Sequence, residues 1–217
     1  MKILNLYACL GGNRYKWDEV AKEAGIEIEV TAVELDEELA RLYQERFPND
    51  KVIVADAHQY LLDYFDEFDF VWTSPPCPTH SRLNSMIIKN TGEVRYPDMK
   101  LYQEIIILKK WFRGKFVVEN VIPYYEPIIP GIKRDRHIYW TNFNLPNDIG
   151  DRKKNDLVKL SIKDLEKFHN IDLNSYNGKQ LKLKIARNLV DYEAGRTIFE
   201  TALGIIRKKD IKQQELF

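Results

Sequence analysis

The sequence predicts an α/β protein in which a mostly parallel central sheet is covered by helices on both faces. Short apolar runs of strand length alternate along the chain with segments of helical periodicity. Glycine, proline or acidic residues follow directly after several of these runs. Because the carboxyl ends of the strands form the ligand-binding edge of an open parallel sheet, these turns are the predicted location of a functional site.

Length and composition indicate one large globular domain, or a domain with a small appendage. The chain has 217 residues, 44% hydrophobic and 30% charged, and no apolar run is long enough to cross a bilayer, so we expect no membrane contact. The first residues enter a strand pattern directly, which argues against a signal peptide. The two cysteines, Cys9 and Cys77, argue against a disulfide framework and favour a cytoplasmic location.

The charged residues are unevenly distributed, although the formal net charge is zero. Acidic residues dominate between positions 34 and 69, and basic residues dominate between positions 152 and 187. A neutral chain is not typical of nucleic-acid-binding proteins, but one basic side is sufficient to hold a polyanion. The asymmetry alone fits an ordinary solvated surface equally well.

The first predicted unit is a strand over residues 3–7, a glycine turn over residues 8–13 and a helix over residues 15–24 that ends before Gly25. Glycines let a backbone approach a ligand closely, and a helix N-terminus favours negative charge. This order is typical of the opening of a cofactor-binding βαβ unit, although many such turns only pack a helix onto a sheet.

The second strand is predicted over residues 28–33 and is followed by Glu34, Leu35 and Asp36. An acid after the second strand commonly accepts hydrogen bonds from ribose hydroxyls, so Glu34 is the candidate for this contact. Asp36 directly precedes a predicted helix over residues 37–47 and is interpreted as its N-cap. The pattern favours a cofactor that contains adenosine.

The third strand, predicted over residues 52–55, is closed by Asp56. We expect this carboxylate to accept a hydrogen bond from an adenine amino group, to cap the helix that follows, or to do both. His58 lies on that helix and is predicted to be a surface residue rather than a ligand.

The fourth strand, predicted over residues 68–72, leads into the segment Ser74-Pro75-Pro76-Cys77-Pro78. Prolines provide no backbone N–H groups and cannot continue a central strand, so the cysteine is predicted to lie on a stiff turn at the carboxyl end of the sheet. Taken alone, this thiol fits an idle or buried cysteine as well as a nucleophile.

The next segments complete the predicted sheet. Residues 81–98 show no clear period and are predicted to form a loop that could close over a ligand. A helix with one apolar face is predicted over residues 100–112, and the fifth strand over residues 116–118. Glu119 therefore faces the same rim of the sheet as Cys77.

The remainder of the chain is less regular. Residues 123–131 form proline-rich turns, and residues 134–140 are predicted to be one short strand. Residues 144–184 are polar and basic, with weak helicity over residues 161–169, and a final amphipathic helix is predicted over residues 191–207.

Together these residues resemble the motifs of the cytosine carbon-5 DNA methyltransferases, a family that uses S-adenosylmethionine. The residues that carry the resemblance, in the family's order, are Tyr7-Ala8-Cys9-Leu10-Gly11-Gly12, Glu34, Asp56, Pro76-Cys77-Pro78-Thr79-His80-Ser81, Glu119-Asn120-Val121, Ile132-Lys133-Arg134-Asp135-Arg136 and Arg187-Asn188-Leu189-Val190. The Glu-Asn-Val motif is intact, whereas Cys9, Pro78, Ile132 and Arg187 stand where the family usually has other residues.

The resemblance implies a Rossmann-like fold of the S-adenosylmethionine-dependent methyltransferases and methylation of carbon 5 of a flipped-out cytosine in DNA, with RNA left open as a substrate. It implies that Cys77 adds to carbon 6 of the base, that Glu119 protonates ring nitrogen 3, and that Arg136 and also Arg134 hold the base. The implied cofactor-binding residues are Tyr7, Ala8, Leu10, Gly11, Gly12, Glu34, Leu35, Asp56, Ala57, Pro76, Asn188 and Val190.

The resemblance also implies a division of the chain. Residues 1–143 would form the catalytic and cofactor-binding domain, residues 144–184 a small target-recognition-like insertion, and residues 185–217 a C-terminal segment whose helix returns to the first domain. Because the insertion is short and rich in lysine, we expect either a short, degenerate target site or a partner subunit that supplies recognition, and binding that weakens steeply with salt. No metal is expected, since His80 and His137 do not form a ligand set with the cysteines.

Two alternatives remain open. Ser74-Pro75-Pro76 is similar to the motif of amino-methyltransferases that act on exocyclic nitrogens of adenine or cytosine, but Cys77 stands where those enzymes have an aromatic residue. The motif departures also fit a non-catalytic nucleic-acid-binding module that keeps the fold. Retention of both Cys77 and Glu119 argues against this second alternative.

Overall fold

The computed structural model describes residues 1–150, 152 and 160–205. Within these residues, seven strands form one sheet in the order β3-β2-β1-β4-β5-β7-β6. The strands are β1 (Lys2–Leu6), β2 (Glu29–Glu34), β3 (Lys51–Val54), β4 (Phe70–Thr73), β5 (Lys115–Val121), β6 (Ile132–Arg134) and β7 (His137–Thr141). Strands β1 to β5 pair in parallel, and β7 runs antiparallel to both β5 and β6. The predicted mostly parallel sheet is confirmed.

Helices cover both faces of the sheet, as predicted. They are α1 (Trp17–Ala24), α2 (Glu37–Arg46), α3 (Ala57–Tyr64), α4 (Arg82–Thr91), α5 (Lys100–Lys110), α6 (Ile162–His169), α7 (Lys182–Asn188) and α8 (Tyr192–Ala202), with a 3-10 turn at Phe65–Glu67. Side chains of a strand alternate between its two faces. Leu4 therefore packs with Ile105 of α5, whereas its neighbour Ile3 packs with Trp17 of α1 and Ile198 of α8.

The strand order places a topological switch between β1 and β4. From β1 the chain crosses to β2 and β3 on one side, and β4 and β5 lie on the other side. Loops that leave the carboxyl ends of two such strands diverge and open a crevice between them. The turn that begins at Tyr7 and the turn that holds Cys77 both start at this crevice.

The predicted loop over residues 81–98 is wrong for its first half, which forms helix α4. Leu83, Met86 and Ile87 follow the i, i+3, i+4 spacing of one helical face, and Gly92, with φ of 72°, ends the helix in the left-handed conformation. Leu83 and Met86 remain exposed to solvent, so the apolar face of α4 is not used for core packing.

The single strand predicted over residues 134–140 is a hairpin of β6 and β7 instead. Asp135 has a φ of 47° and turns the chain between the two strands. Aspartate tolerates this left-handed conformation better than most residues, which is why the short connection is possible here. The hairpin places β7 against β5, beside Glu119.

The weak helicity predicted near residue 161 is confirmed by α6, which begins with a capping box between Ser161 and Asp164. Leu165 and Leu173 pack with Leu39 and Leu42 of α2. The final helix predicted over residues 191–207 ends earlier, because α8 stops at Ala202. Residues 206–217 and the basic residues Lys153, Lys154 and Lys159 lie outside the described residues. The division into domains stays a prediction. In the described part of the chain, no helix is both long and apolar enough to cross a membrane.

Candidate active site

A cavity of about 850 Å³ lies at the carboxyl ends of the parallel strands. It is within the size range of small-molecule and cofactor sites. The predicted cofactor residues on its wall are Tyr7, Glu34, Leu35, Asp56, Ala57 and Pro76. They follow strands β1 to β4, which explains why residues from separate motifs meet at one edge.

Glu34 is held at the cavity by backbone groups. The N–H of Cys9 donates to one carboxylate oxygen at 2.8 Å, and the N–H of Asp36 donates to the other at 3.0 Å. Burial raises the pKa of the Glu34 carboxyl group, and these hydrogen bonds oppose the shift. Because a carboxylate accepts more than two hydrogen bonds, Glu34 keeps capacity for ligand hydroxyls.

The two aspartates at this edge cap helices, as predicted. Asp36 accepts the N–H groups of Glu38 and Leu39 at the start of α2, and Asp56 accepts those of His58 and Gln59 at the start of α3. Asp56 also lies 3.5 Å from the Lys100 ammonium. The N–H of Gln59 and the Lys100 charge lower the pKa of Asp56, so it remains a carboxylate at the cavity wall. Its contact with an adenine amino group stays a prediction.

The other predicted residues of the first turn shape the cavity without lining it. Ala8 and Leu10 are buried. A Cβ atom on Gly11 would lie 2.4 Å from the Phe47 ring, and one on Gly12 would lie 2.3 Å from the carbonyl oxygen of Val190. The two glycines are therefore required by close packing inside the protein.

Asn188 and Val190 lie away from the described walls of the cavity. Asn188 is the last residue of α7, and Val190 contacts the first turn through its carbonyl oxygen at Gly12. Their cofactor role stays a prediction.

Cys77 lies on a turn that several main-chain contacts hold in place. The N–H groups of His80 and Ser81 both donate to the Cys77 carbonyl oxygen at 3.0 Å. The thiol is partly buried, and Glu119, which is 8% exposed, is close enough to act on its charge. Burial and then the Glu119 carboxylate raise the pKa of the Cys77 thiol, and Lys184 opposes this shift.

The two predicted base-contacting arginines have different surroundings. Arg134 donates to the carbonyl oxygens of Pro146 at 2.6 Å and Leu145 at 2.9 Å, so its guanidinium fastens the segment after β7. Arg136 has an exposed side chain on the hairpin, and its carbonyl oxygen accepts the N–H of Ile122 at 3.2 Å.

Glu104 is a candidate functional residue that the sequence interpretation missed. It is fully buried and accepts hydrogen bonds from the hydroxyls of Tyr7 and Thr73, both at 2.7 Å. His58 Nδ1 lies 2.9 Å from the same carboxylate. Tyr7 lines the cavity and has a φ of 55°, so Glu104 holds a residue whose backbone is in an uncommon conformation.

The structure shows that the predicted surface position of His58 is wrong, because this side chain is 6% exposed. Its hydrogen bond to Glu104 raises the pKa of His58, and burial opposes this shift. One signal could have identified the pair: Glu104 lies on the apolar face formed by Leu101, Ile105 and Leu108, where a carboxylate requires partners. Among the described residues, no group of three or more His, Cys, Asp or Glu side chains is arranged to hold a metal ion.

The chain is similar to known proteins in sequence and in structure. The model of the family described as C-5 cytosine-specific DNA methylase matches residues 1–123. A mutant of DNMT2 from Spodoptera frugiperda is 25% identical over 55% of this chain and 35% of that chain, with a TM-score of 0.38. The chain thus spans about a third of the length of that relative. A search of curated proteins finds no match.

The methyltransferase EhMeth from Entamoeba histolytica has a similar structure over nearly the whole chain. It is 11% identical, the alignment covers 96% of this chain and 99% of that chain, and the TM-score is 0.55. At this identity the likeness shows the fold alone, which is the Rossmann-like methyltransferase fold that the sequence predicts.

Proposed function

Because the chain belongs to the C-5 cytosine-specific DNA methylase family and is thus a methyltransferase, we propose that it methylates carbon 5 of cytosine in DNA with S-adenosylmethionine as the donor. The observation that carries this proposal is the placement of Cys77. The turn that holds Cys77 adjoins the cavity through Pro75 and Pro76, while Glu119 acts on the thiol from the end of β5.

The chemistry of the cavity fits the proposed cofactor. Glu34 offers carboxylate oxygens to ribose hydroxyls, and Asp56 offers a carboxylate to an amino group. Leu35, whose exposed fraction is 68%, presents an apolar surface to a flat base. The predominantly acidic wall suits a ligand with a positive charge. S-adenosylmethionine, when bound, supplies an electrophilic methyl group.

Cys77 is proposed to be the nucleophile. Its thiolate adds to carbon 6 of cytosine, a carbon–sulfur bond forms, and the electron pair of the ring double bond moves towards carbon 5. Carbon 5 becomes nucleophilic and takes the methyl group as the carbon–sulfur bond of the donor breaks, with the electron pair of that bond left on sulfur in S-adenosylhomocysteine. Solvent water then accepts the proton from carbon 5, and the electron pair of that bond re-forms the ring double bond as the carbon–sulfur bond to Cys77 breaks. Ring nitrogen 3 gives back the proton that it received during the addition, which restores the ring.

Glu119 is proposed to assist the addition by donating a proton to ring nitrogen 3. This step needs a protonated carboxyl group beside the thiol, and such a group no longer repels the thiolate. The proton makes the ring more electrophilic, and it neutralises the negative charge that the ring gains when Cys77 adds. Arg136, which is exposed on the hairpin, is proposed to hold the base carbonyl. The target base must leave the duplex to reach Cys77.

The proposal is tested by incubating the purified protein with S-adenosylmethionine and matched DNA and RNA oligonucleotides, followed by nucleoside mass spectrometry. We expect 5-methylcytosine in DNA and a denaturation-stable adduct with DNA that contains 5-fluorocytosine. Cys77→Ser should form neither, whereas Cys9→Ser, which changes the other cysteine of the chain, should still form the adduct. A methyl group on an exocyclic nitrogen would support the amino-methyltransferase alternative. Methylation of RNA alone would assign a different substrate.

A further inference from the structure

One wall of the cavity comes from a segment far from the predicted cofactor motifs. Gly178, Lys179 and Gln180 line the cavity together with Leu35 and Asp36. None of these three residues belongs to the set that the sequence predicted to bind the cofactor. They lie in the segment over residues 144–184, for which a role in target recognition was predicted.

Two hydrogen bonds fasten this segment to the start of helix α2, and a third closes the segment on itself. The hydroxyl of Tyr176 and the side-chain amide of Gln180 both donate to Asp36 Oδ2 at 3.0 Å. The main-chain N–H of Gln180 donates to the Tyr176 hydroxyl oxygen at 3.1 Å. Asp36 Oδ1 caps α2, so one carboxylate joins the helix cap and the distant segment.

Side-chain packing and a further hydrogen bond from α2 also hold this segment in place. Tyr176 is 3% exposed and packs with Leu10, Leu39 and Leu42. Arg41 of α2 donates to the Ser175 carbonyl oxygen at 3.0 Å. The chain then folds across the Tyr176 ring at Gly178, where a Cβ atom would lie 2.3 Å from the Tyr176 hydroxyl oxygen. A glycine is required there, so the path of residues 178–180 along the cavity is specified by the packing.

We propose that residues 176–180 form a clasp that binds the adenosine end of the cofactor. This inference depends on the proposed cofactor site. The clasp meets the cavity at Leu35 and Asp36, next to Glu34, and an acid in the position of Glu34 commonly binds ribose. The amino-acid end of the cofactor lies elsewhere, since its methyl group must reach Cys77. The insertion thereby supplies part of the cofactor site itself.

The clasp is tested with two variants that disturb its hydrogen bonds and preserve its packing. Tyr176→Phe removes the donor to Asp36 and keeps the buried ring. Gln180→Glu places a second carboxylate against Asp36 and opens the clasp by repulsion. Asp172→Ala is the matched control, because Asp172 Oδ1 accepts the N–H of Asn174 at 2.7 Å in the same insertion, but Asp172 lies outside the clasp and does not line the cavity. Thermal unfolding verifies that each variant is folded.

Calorimetric titration with S-adenosylhomocysteine and with 5′-methylthioadenosine distinguishes the two ends of the ligand. We expect the Tyr176→Phe/Gln180→Glu double variant, which loses both hydrogen bonds to Asp36, to raise Kd for both ligands by about tenfold, and Asp172→Ala to leave both values within about twofold. If the double variant is unstable, Tyr176→Phe alone decides, with about a fivefold increase expected. Wild-type affinity in the variants, or a loss seen with S-adenosylhomocysteine alone, would overturn the clasp.

The Glu34→Ala variant distinguishes failure of the clasp from failure of the proposed cofactor site. Weaker binding in Glu34→Ala with wild-type binding in the clasp variants would reject the clasp and keep the cofactor site. No binding of either ligand by the wild-type protein would reject the cofactor site itself.

Discussion

The side-chain amide of Asn120 donates a 2.9 Å hydrogen bond to the carbonyl oxygen of Pro75. Asn120 is buried near the end of β5, next to Glu119, whereas Pro75 lies two residues before Cys77. The contact therefore fixes the distance between the last residues of β5 and the loop that leaves the neighbouring strand β4. It gives the Asn120 side chain a positioning role for the proposed nucleophile and acid.

We expect Asn120→Ala to lower kcat by about 10- to 100-fold, since small displacements of reacting groups have effects of this size. Cofactor affinity should fall much less, because the Asn120 side chain does not line the cavity. Asn142→Ala is the matched control: its side chain bridges Gly114 and Phe116 at the opposite end of β5. This control should lose stability and retain kcat. Equal losses of kcat in both variants would mean that Asn120 acts through stability alone.

The raised pKa of the Cys77 thiol predicts slow alkylation of the free enzyme near neutral pH, with a rate that increases as the pH rises. Glu119→Gln removes a negative charge beside the thiol and should lower its pKa. At a fixed pH this variant should react faster with iodoacetamide at Cys77 while losing methyl transfer.

Peptide mass spectrometry separates the reaction at Cys77 from that at Cys9, whose thiol pKa is also raised by burial and serves as an internal control. Alkylation at Cys77 that is unchanged in Glu119→Gln would show that Glu119 does not act on the thiol.

The buried pair of His58 and Glu104 predicts a pH-dependent stability. The pKa of folded His58 lies above its ordinary value of 6.5, so protonated His58 stabilises the folded state fully below that value. This contribution is lost as the pH rises through the folded pKa. The difference in free energy of unfolding between the wild type and His58→Gln should thus be larger at about pH 6 than at about pH 9.

Urea unfolding at both pH values measures this difference. Glu104→Gln provides the companion variant, since it removes the charge that raises the His58 pKa. In the Glu104→Gln background, His58→Gln should cause the same change at both pH values. If the wild type and His58→Gln differed more in free energy of unfolding at about pH 9 than at about pH 6, the sign of the predicted effect would be wrong.

We expect Gly12 to be required for the stability of the fold even when no cofactor is bound. The Cβ atom of Gly12→Ala would lie 2.3 Å from the Val190 carbonyl oxygen, so the first turn and the segment after α7 must separate. We expect a loss of about 1–3 kcal/mol in the free energy of unfolding, the usual cost of overpacking. Urea unfolding of the cofactor-free protein measures it. An unchanged midpoint together with weaker cofactor binding would assign Gly12 to the ligand instead.

Local patterns predicted the sheet and the edge at which the cavity lies. Strand β4 could be identified because an apolar run ends abruptly at Pro75 and Pro76. The caps at Asp36 and Asp56 could be identified because an N-cap contacts backbone groups only two or three residues away. The parallel topology then brings the ends of separate strands to one rim.

The turn between β6 and β7 was not predictable in the same way. It depends on the left-handed conformation of Asp135, which the pairing of β7 with β5 and β6 selects. Helix α4 has helical apolar spacing, but its Leu83 and Met86 side chains are exposed. Apolar spacing predicts a helix through burial of one face, and that burial does not occur here.

The contacts that complete the site depend on the tertiary structure. Glu104 and His58 are 46 residues apart in sequence, and Gln180 and Asp36 are 144 residues apart. Hydrophobic periodicity states which face of a helix is buried, but it does not identify which side chains of other elements meet that face. Those partners are determined when α3, α5 and residues 176–180 pack around the ends of β1, β2 and β4, because burial then requires each polar group to find a partner within hydrogen-bonding distance.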